Sequence, residues 1–344
     1  MFIRNAWYVA AWSHELGETL LARTICDEDV VLYRKADRTP VALEDRCCHR
    51  HLPLSMGKRD GDGLRCGYHG LLFDAAGTCI EIPGQAEIPP QAKVKTWPLV
   101  ERWGFVWIWV GDREKADPAL VPNLWWADTP GWKFSPAKMV PLSCDYRLIA
   151  DNVMDVTHLT YVHANSIGAG SLTEVPPEME LSEEVVRVSR WVLDRPPPPM
   201  YAKAGGFEGN ADRWAVLEWR APNVSVNFAG CVDVGFGGPG KDIMQSPRRV
   251  ELVAISVPTP VTAGRCYYFF GFSRAFGLDD PAMDFAFEQT MPEVFREDFA
   301  VLEAQQAKMA KYPDAPQISL RNDRASVYAR RLLERRAEAE AGTR

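Results

Sequence analysis

Apolar residues in the first third of the chain fall in short runs broken by turn residues. Val30–Lys35 and Val41–Arg46 are β-rich runs split by Ala36-Asp37-Arg38-Thr39-Pro40. Leu64–Asp74 runs into Ala75-Ala76-Gly77, and Lys93 to Val110 has the composition of two strands meeting near Glu101-Arg102. This pattern predicts an all-β domain over residues 1–110, then a polar, proline-containing link from Asp112 to Pro122. Beyond it the period changes. A helical pattern covers Tyr146 to about Tyr161, and strand patterns cover Val185–Leu193, Trp214–Arg220, Val224–Phe228, Val250–Val257 and Cys266–Ser273. A long helix is predicted from about Pro281 to Lys311 and a shorter one over Ala325–Glu338. That order predicts an α+β domain over 111–344, an antiparallel sheet holding a long helix.

Within the first helical pattern, Asp151 to His163 (DNVMDVTHLTYVH) carries two histidines, two aspartates and an asparagine among apolar residues. On an α-helix Asp151, Asp155 and His158 share a face, and His163 lies about 140° further round. For both imidazoles to reach one ion the helix must loosen or end, and Ala164-Asn165-Ser166-Ile167-Gly168 offers an ending. Two imidazoles and a carboxylate on one side of an ion are the usual donor set for open ferrous sites. Taken alone, the stretch also reads as a core helix whose polar groups bond one another.

A second constellation lies upstream. Cys47-Cys48-His49 is followed, after sixteen residues, by Cys66-Gly67-Tyr68-His69, giving C-x-H…C-x-x-H. Two thiolates on one iron and two histidines on the other describe a Rieske 2Fe–2S centre, with Cys47, His49, Cys66 and His69 as its ligands. A Cys2His2 zinc site is the alternative, although zinc fingers usually pair like with like. Cys48, in the x position, and His51 are read as non-ligands.

Composition narrows the class. A hydrophobic fraction of 47% with 25% charged residues over 344 residues is that of a globular protein with room for two domains. The net charge of −7 argues against a nucleic-acid partner. Met1 to Leu20 has no basic segment leading into an apolar run, and the most apolar window, Gly104–Gly111, is too short to span a bilayer, so a cytoplasmic, non-membrane chain is expected. In a reducing compartment clustered cysteines point to metal rather than disulfides. Gly235-Phe-Gly237-Gly-Pro-Gly240 satisfies G-x-G-x-x-G, but Pro239 interrupts the turn and no helical period follows; it is read as a flexible loop. With no flavin or nicotinamide site in view, electrons are expected from a separate reductase.

The cluster motif followed by D-x-x-H-x4-H resembles the oxygenase component of the Rieske non-haem iron oxygenases. The likeness spans nearly the whole chain, including NAWYVAA (Asn5–Ala11), EDRCCHRHLPLSMG (Glu44–Gly57), CGYHGLLFD (Cys66–Asp74), YFFGFSRAFG (Tyr268–Gly277) and EDFAVLEAQQ (Glu297–Gln306). It is nearest to the aromatic demethylases of the vanillate and dicamba O-demethylase type and the related toluenesulfonate methyl-monooxygenase. Cys48 departs from the proline common there.

The resemblance implies a Rieske domain followed by a helix-grip (START-like) catalytic domain, assembled as a homotrimer. It implies mononuclear Fe(II) on His158, His163 and Asp298. Asp298 also has Val294, Phe295, Val301 and Leu302 around it at helical spacing, an apolar face that a carboxylate occupies at a cost unless it binds something. Asp155 is implied as the bridge from His158 to His69 of a neighbouring subunit, carrying the electron between chains, and Asn152 as a group beside the iron. Asn227 matches a polar pocket residue of the dicamba enzyme. The implied partners are O2, an aromatic substrate and an NAD(P)H-dependent reductase carrying flavin and a ferredoxin-type centre. The implied reaction is hydroxylation of a methoxy C–H of an aromatic acid, releasing formaldehyde. The alternatives are aryl-methyl hydroxylation and, in a different class, a Rieske electron carrier.

Overall fold

The computed structural model describes residues 2–164 and 175–342. Asn165-Ser166-Ile167-Gly168, the expected helix ending, lies outside the described residues. The chain divides into two compact units.

The first unit comprises Phe2–Asn123 and Thr259–Thr262, so it takes in the 112–122 link as well as the expected 1–110 region. Trp7 Nε1 donates to the Asp117 carbonyl at 2.8 Å and the Asp112 N–H donates to Asn5 Oδ1 at 2.7 Å, which ties the link to the first strand. The unit is built of three small antiparallel sheets. One orders Ala6–Trp12, Phe105–Val110 and Leu99–Arg102; a second orders Leu21–Ile25, Glu28–Arg34 and Pro40–Glu44. The third runs through Lys58–Asp60, Gly63–Arg65, Leu72–Phe73 and Cys79–Glu81. The strands Ala6–Trp12 and Phe105–Val110 are buried along their whole length, which is why neither shows an alternating pattern. Val31, Tyr33, Leu43, Leu54, Leu64 and Phe73 form a core that also takes in Cys47 and Cys66.

The second unit, Leu124–Pro258 with 263–342, is an antiparallel sheet carrying helices. Among the described residues it has eight strands, ordered Lys133–Pro136, Arg265–Arg274, Arg249–Thr262, Val224–Asp233, Ala211–Arg220, Val186–Arg195 and Glu178–Leu181, with Val140–Leu142 also on Arg265–Arg274. The five expected strands are the middle ones, each longer than expected. On one face of the sheet, registers place Val188, Leu217, Asn227 and Ala254 in one row and Arg190, Ala215, Ala229 and Leu252 in the next. The helix Met291–Lys311 rests on strand Arg265–Arg274 through aromatic contacts: Phe295 stacks on Phe270 at 5.0 Å and Phe299 meets Tyr268 edge-on at 5.7 Å. Before it, Pro281–Phe285 continues into a π turn at Ala286–Thr290, so the expected single helix from 281 is irregular in its first third. The last helix, Arg324–Gly342, is longer than its apolar pattern indicated. No described helix is long and apolar enough to cross a membrane.

The glycine-rich segment Gly235–Gly240 is a turn followed by one short 3-10 turn, Ile243–Gln245, and no α-helix opens on it. The buried Asp212 carboxylate accepts from the N–H groups of Gly235 (2.7 Å) and Gly237 (3.1 Å), which anchors it.

Candidate metal centres

The helix Tyr146–Met154 starts at Asp145, whose carboxylate caps the Arg147 N–H at 2.9 Å, and it buries Tyr146, Leu148, Ile149, Ala150 and Met154. It stops at Asp155, where the backbone turns extended (φ −114°, ψ 95°). A 3-10 turn, Val156–His158, and a short α turn, Leu159–Val162, follow, with His163 at the end. The loosening needed to aim both imidazoles at one point thus lies before His158. The Asp155 carboxylate starts the new turn, accepting from the Thr157 N–H at 2.9 Å and its hydroxyl at 2.8 Å. Asp151 does not join the histidines; it pairs with Arg330 of the last helix.

His158, His163 and Asp298 come together, with one donor atom of each within 4.8 Å of the others. Nε2 of His163 lies 3.1 Å from Asp298 Oδ2, and Nε2 of His158 lies 3.5 Å from Oδ1. Both rings use their far nitrogen to tie back into the protein. Nδ1 of His158 is bonded to the main-chain carbonyl of Asp155, so Nδ1 carries the hydrogen. The expected hold of Asp155 on His158 therefore runs through its backbone and not its carboxylate. Nδ1 of His163 lies 2.6 Å from Glu297 Oε2. Asn152 Nδ2 donates to Asp298 Oδ1 at 3.0 Å, which fixes the carboxylate.

These contacts suit a divalent ion. Two Nε2 lone pairs and a carboxylate converge, and each donor is oriented from behind by a carbonyl, a carboxylate or an amide. His163 and Asp298 are buried. Burial works to lower the His163 pKa, but hydrogen bonds and charge from Asp298 and Glu297 outweigh it and raise the value. A site that draws positive charge to this point is one a cation can occupy. Glu297 carried no signal of its own beyond standing next to Asp298.

In the first unit the C-x-H…C-x-x-H motif folds as two matching loops. The Cys47 N–H donates to the Leu52 carbonyl (2.9 Å) and the His51 N–H to the Cys47 carbonyl (3.0 Å); Cys66 to Leu71 (2.8 Å) and Gly70 to Cys66 (3.2 Å) repeat the pattern. The matching positions His51 and Gly70 both have left-handed backbone, φ 59° and 75°. Each loop buries its cysteine and exposes its histidine. The Cys47 thiol is pushed up to about 11 by burial and by the Cys66 thiol beside it, while the His49 and His69 rings are 4.5 Å apart at the surface. The motif is thus sorted into a thiol pair within and an imidazole pair without. That is the division a two-iron cluster with unlike ends requires, and it differs from a single mixed zinc tetrahedron. Cys48 lines the groove beside the two histidines, and His51 is exposed near Arg46.

Residues 6–98 match the Rieske [2Fe-2S] domain, and residues 142–339 match the vanillate O-demethylase oxygenase C-terminal domain. The chain is 38% identical to the toluene-4-sulfonate monooxygenase system iron-sulfur subunit of Comamonas testosteroni, over 99% of both chains. It is 37% identical to the vanillate O-demethylase oxygenase subunit of Pseudomonas sp. (strain HR199 / DSM 7063), over 99% of this chain and 96% of that one. Dicamba monooxygenase bound to dicamba superposes with a TM-score of 0.89 at 33% identity over 99% of both chains; another structure of that enzyme holds non-haem iron and dicamba. Such relatives are oxygenase subunits or components, which implies a separate reductase for this chain too. This chain belongs to the Rieske non-haem iron oxygenases, as an oxygenase component of the vanillate and dicamba O-demethylase and toluenesulfonate monooxygenase group.

Proposed function

We propose that this chain hydroxylates a methoxy C–H of an aromatic acid, using Cys47, His49, Cys66 and His69 to hold a 2Fe–2S cluster and His158, His163 and Asp298 to hold ferrous iron. The convergence of those last three residues carries the reading, because a Rieske electron carrier has no use for a second metal site. When bound, the two centres would supply one-electron transfer and activation of O2. The chain's own contribution is orientation. Asn152 steadies Asp298, and Glu297 and the Asp155 carbonyl set the two rings that would hold the ion.

The balance is one methoxyarene, O2, two electrons and two protons giving a phenol, formaldehyde and water. The added oxygen forms a hemiacetal on the substrate, which collapses with cleavage of its O–CH2 bond. Relatives named for vanillate and dicamba O-demethylation support the methoxy reading. The toluene-4-sulfonate relative, at equal coverage, favours a second one, hydroxylation of an aryl methyl to a benzylic alcohol. Asn227 is assigned to the substrate side: its Oδ1 is buried without a hydrogen-bond partner among the described residues, on the sheet face it shares with Leu217 and Ala254.

The assembly is a homotrimer in which the Asp155 carboxylate meets His69 of a neighbouring copy. Electrons arrive from NAD(P)H through a reductase with flavin and a ferredoxin-type centre. The test is a panel of methoxybenzoates and methylbenzenesulfonates with such a reductase and NADH. Formaldehyde in step with O2 uptake is expected from methoxy substrates. Uptake coupled only to aryl-methyl substrates moves the assignment to the second reading.

A further inference from the structure

The strand Val186–Arg195 alternates, with Val186, Val188 and Val192 buried on one face. Arg190 falls on that same face and is 4% exposed. A guanidinium stays charged at any working pH, and burying a charge without partners is costly. Yet Nε and Nη1 of Arg190 are buried with no hydrogen-bond partner among the described residues. Among the described residues the negative charge felt by Arg190 is that of Asp155, whose two oxygens each accept a hydrogen bond from Thr157 and none from Arg190.

Arg190 lines a cavity of about 440 Å³, together with Arg321, Asn322 and Arg324 at the start of the last helix, and with Thr157 and Met179. Among the described residues no acidic side chain lines it. Three arginines and an amide around one space, with the buried one unpartnered, make a site for an anion. The planar fork of arginine matches two oxygens of a carboxylate or sulfonate, and the volume lies in the range of pockets for small organic ligands. Thr157 stands between Asp155 and His158, so the cavity borders the segment that carries the iron-ligand candidates.

We propose that this cavity binds the carboxylate or sulfonate of an aromatic acid, with Arg190 as its buried partner. The inference rests on the aromatic-acid reading above and supplies the cationic group that such a substrate needs. Arg190 is a specificity-determining residue here.

The test is calorimetric titration of the full-length protein with benzoate and benzenesulfonate, which lack the oxidisable methyl group, so that it is independent of turnover. Arg190→Gln should weaken both at least tenfold, leave neutral anisole unchanged and raise KM for acids more than it lowers kcat. Arg190→Lys should recover part of the affinity. Should Arg190→Gln not fold, the surface double variant Arg321→Gln/Arg324→Gln is read instead, with at least a threefold loss expected. Unchanged affinity for both anions in a folded variant overturns the proposal. So does inorganic sulfate binding as tightly as benzenesulfonate, which makes this a site for free anions. Anion binding lost on Arg190→Gln in a protein that oxidises no methoxy or methyl arene overturns the proposed reaction and leaves the site standing.

Discussion

The Glu297 carboxylate lies 2.6 Å from Nδ1 of His163, and its neighbour Asp298 lies 3.1 Å from Nε2 of the same ring. Two consecutive acids therefore grip one imidazole from opposite ends, one from behind and one from the metal side. Removing an outer partner of this kind commonly costs about 10–100-fold in metal affinity or activity. Glu297→Ala should weaken iron retention in that range in a chelator competition, with the cluster's visible spectrum unchanged. Glu297→Gln, whose amide oxygen still accepts the Nδ1 hydrogen, should recover part of the loss. Equal retention in Glu297→Ala would show that the ring is set by other contacts.

Asp298→Ala should take the iron count from about three per chain to about two, the cluster's complement, and abolish turnover while the red-brown colour persists. Full mononuclear occupancy in the variant would place the third ligand elsewhere. Asp284, the other carboxylate on the helical segment to consider, is already bonded to Lys133 and Arg274, so it makes a poor substitute.

The site was legible in sequence where chemistry fixes spacing and illegible where it depends on the break in a helix. The cluster motif names its four residues because each loop needs its cysteine and histidine two or three positions apart. Asp298 was visible because Val294 and Leu302, one turn either side, are apolar, and both are buried with it. Asp155 reads as a helix-face residue like Asp151, yet the backbone turns extended there and Asp151 goes to Arg330. Arg190 did leave a trace, a charge in phase with the buried valines of its own strand. The strand Ala6–Trp12 left none, being buried on both faces.

Within the first unit, the nearly buried Arg34 makes a two-pronged pair with Glu101 at 2.7 and 2.8 Å. Hydrogen bonds from Arg34, against the opposing effect of burial, hold the Glu101 carboxyl below its usual value of 4.5. A depressed folded-state pKa means that the stabilisation is complete above the unfolded value and fades as pH falls through the folded one. Glu101→Gln should thus lower stability at pH 7 by about 1 kcal/mol, since Glu101 is one-third exposed. The gap between parent and variant melting midpoints should narrow as pH falls below the usual carboxyl value of 4.5. A gap that stays constant from pH 7 to pH 3 would mean the pair contributes through packing alone.

The Asp155 carboxylate is held by Thr157, while its carbonyl holds His158. This separates its structural and proposed electronic roles. Asp155→Asn leaves the carbonyl in place and keeps one oxygen to cap the Thr157 N–H, so cluster spectrum and iron count should match the parent. What is lost is the charge proposed to meet His69 of a neighbouring copy. The reductase should still bleach the variant's cluster at the parent rate, because His49 and His69 remain exposed. The return of colour after mixing with substrate and O2 should then slow by more than the roughly 100-fold upper end for an outer-shell partner. Stopped-flow absorbance follows both phases in one protein. Recolouring at the parent rate would remove Asp155 from the path between chains and leave it a helix cap.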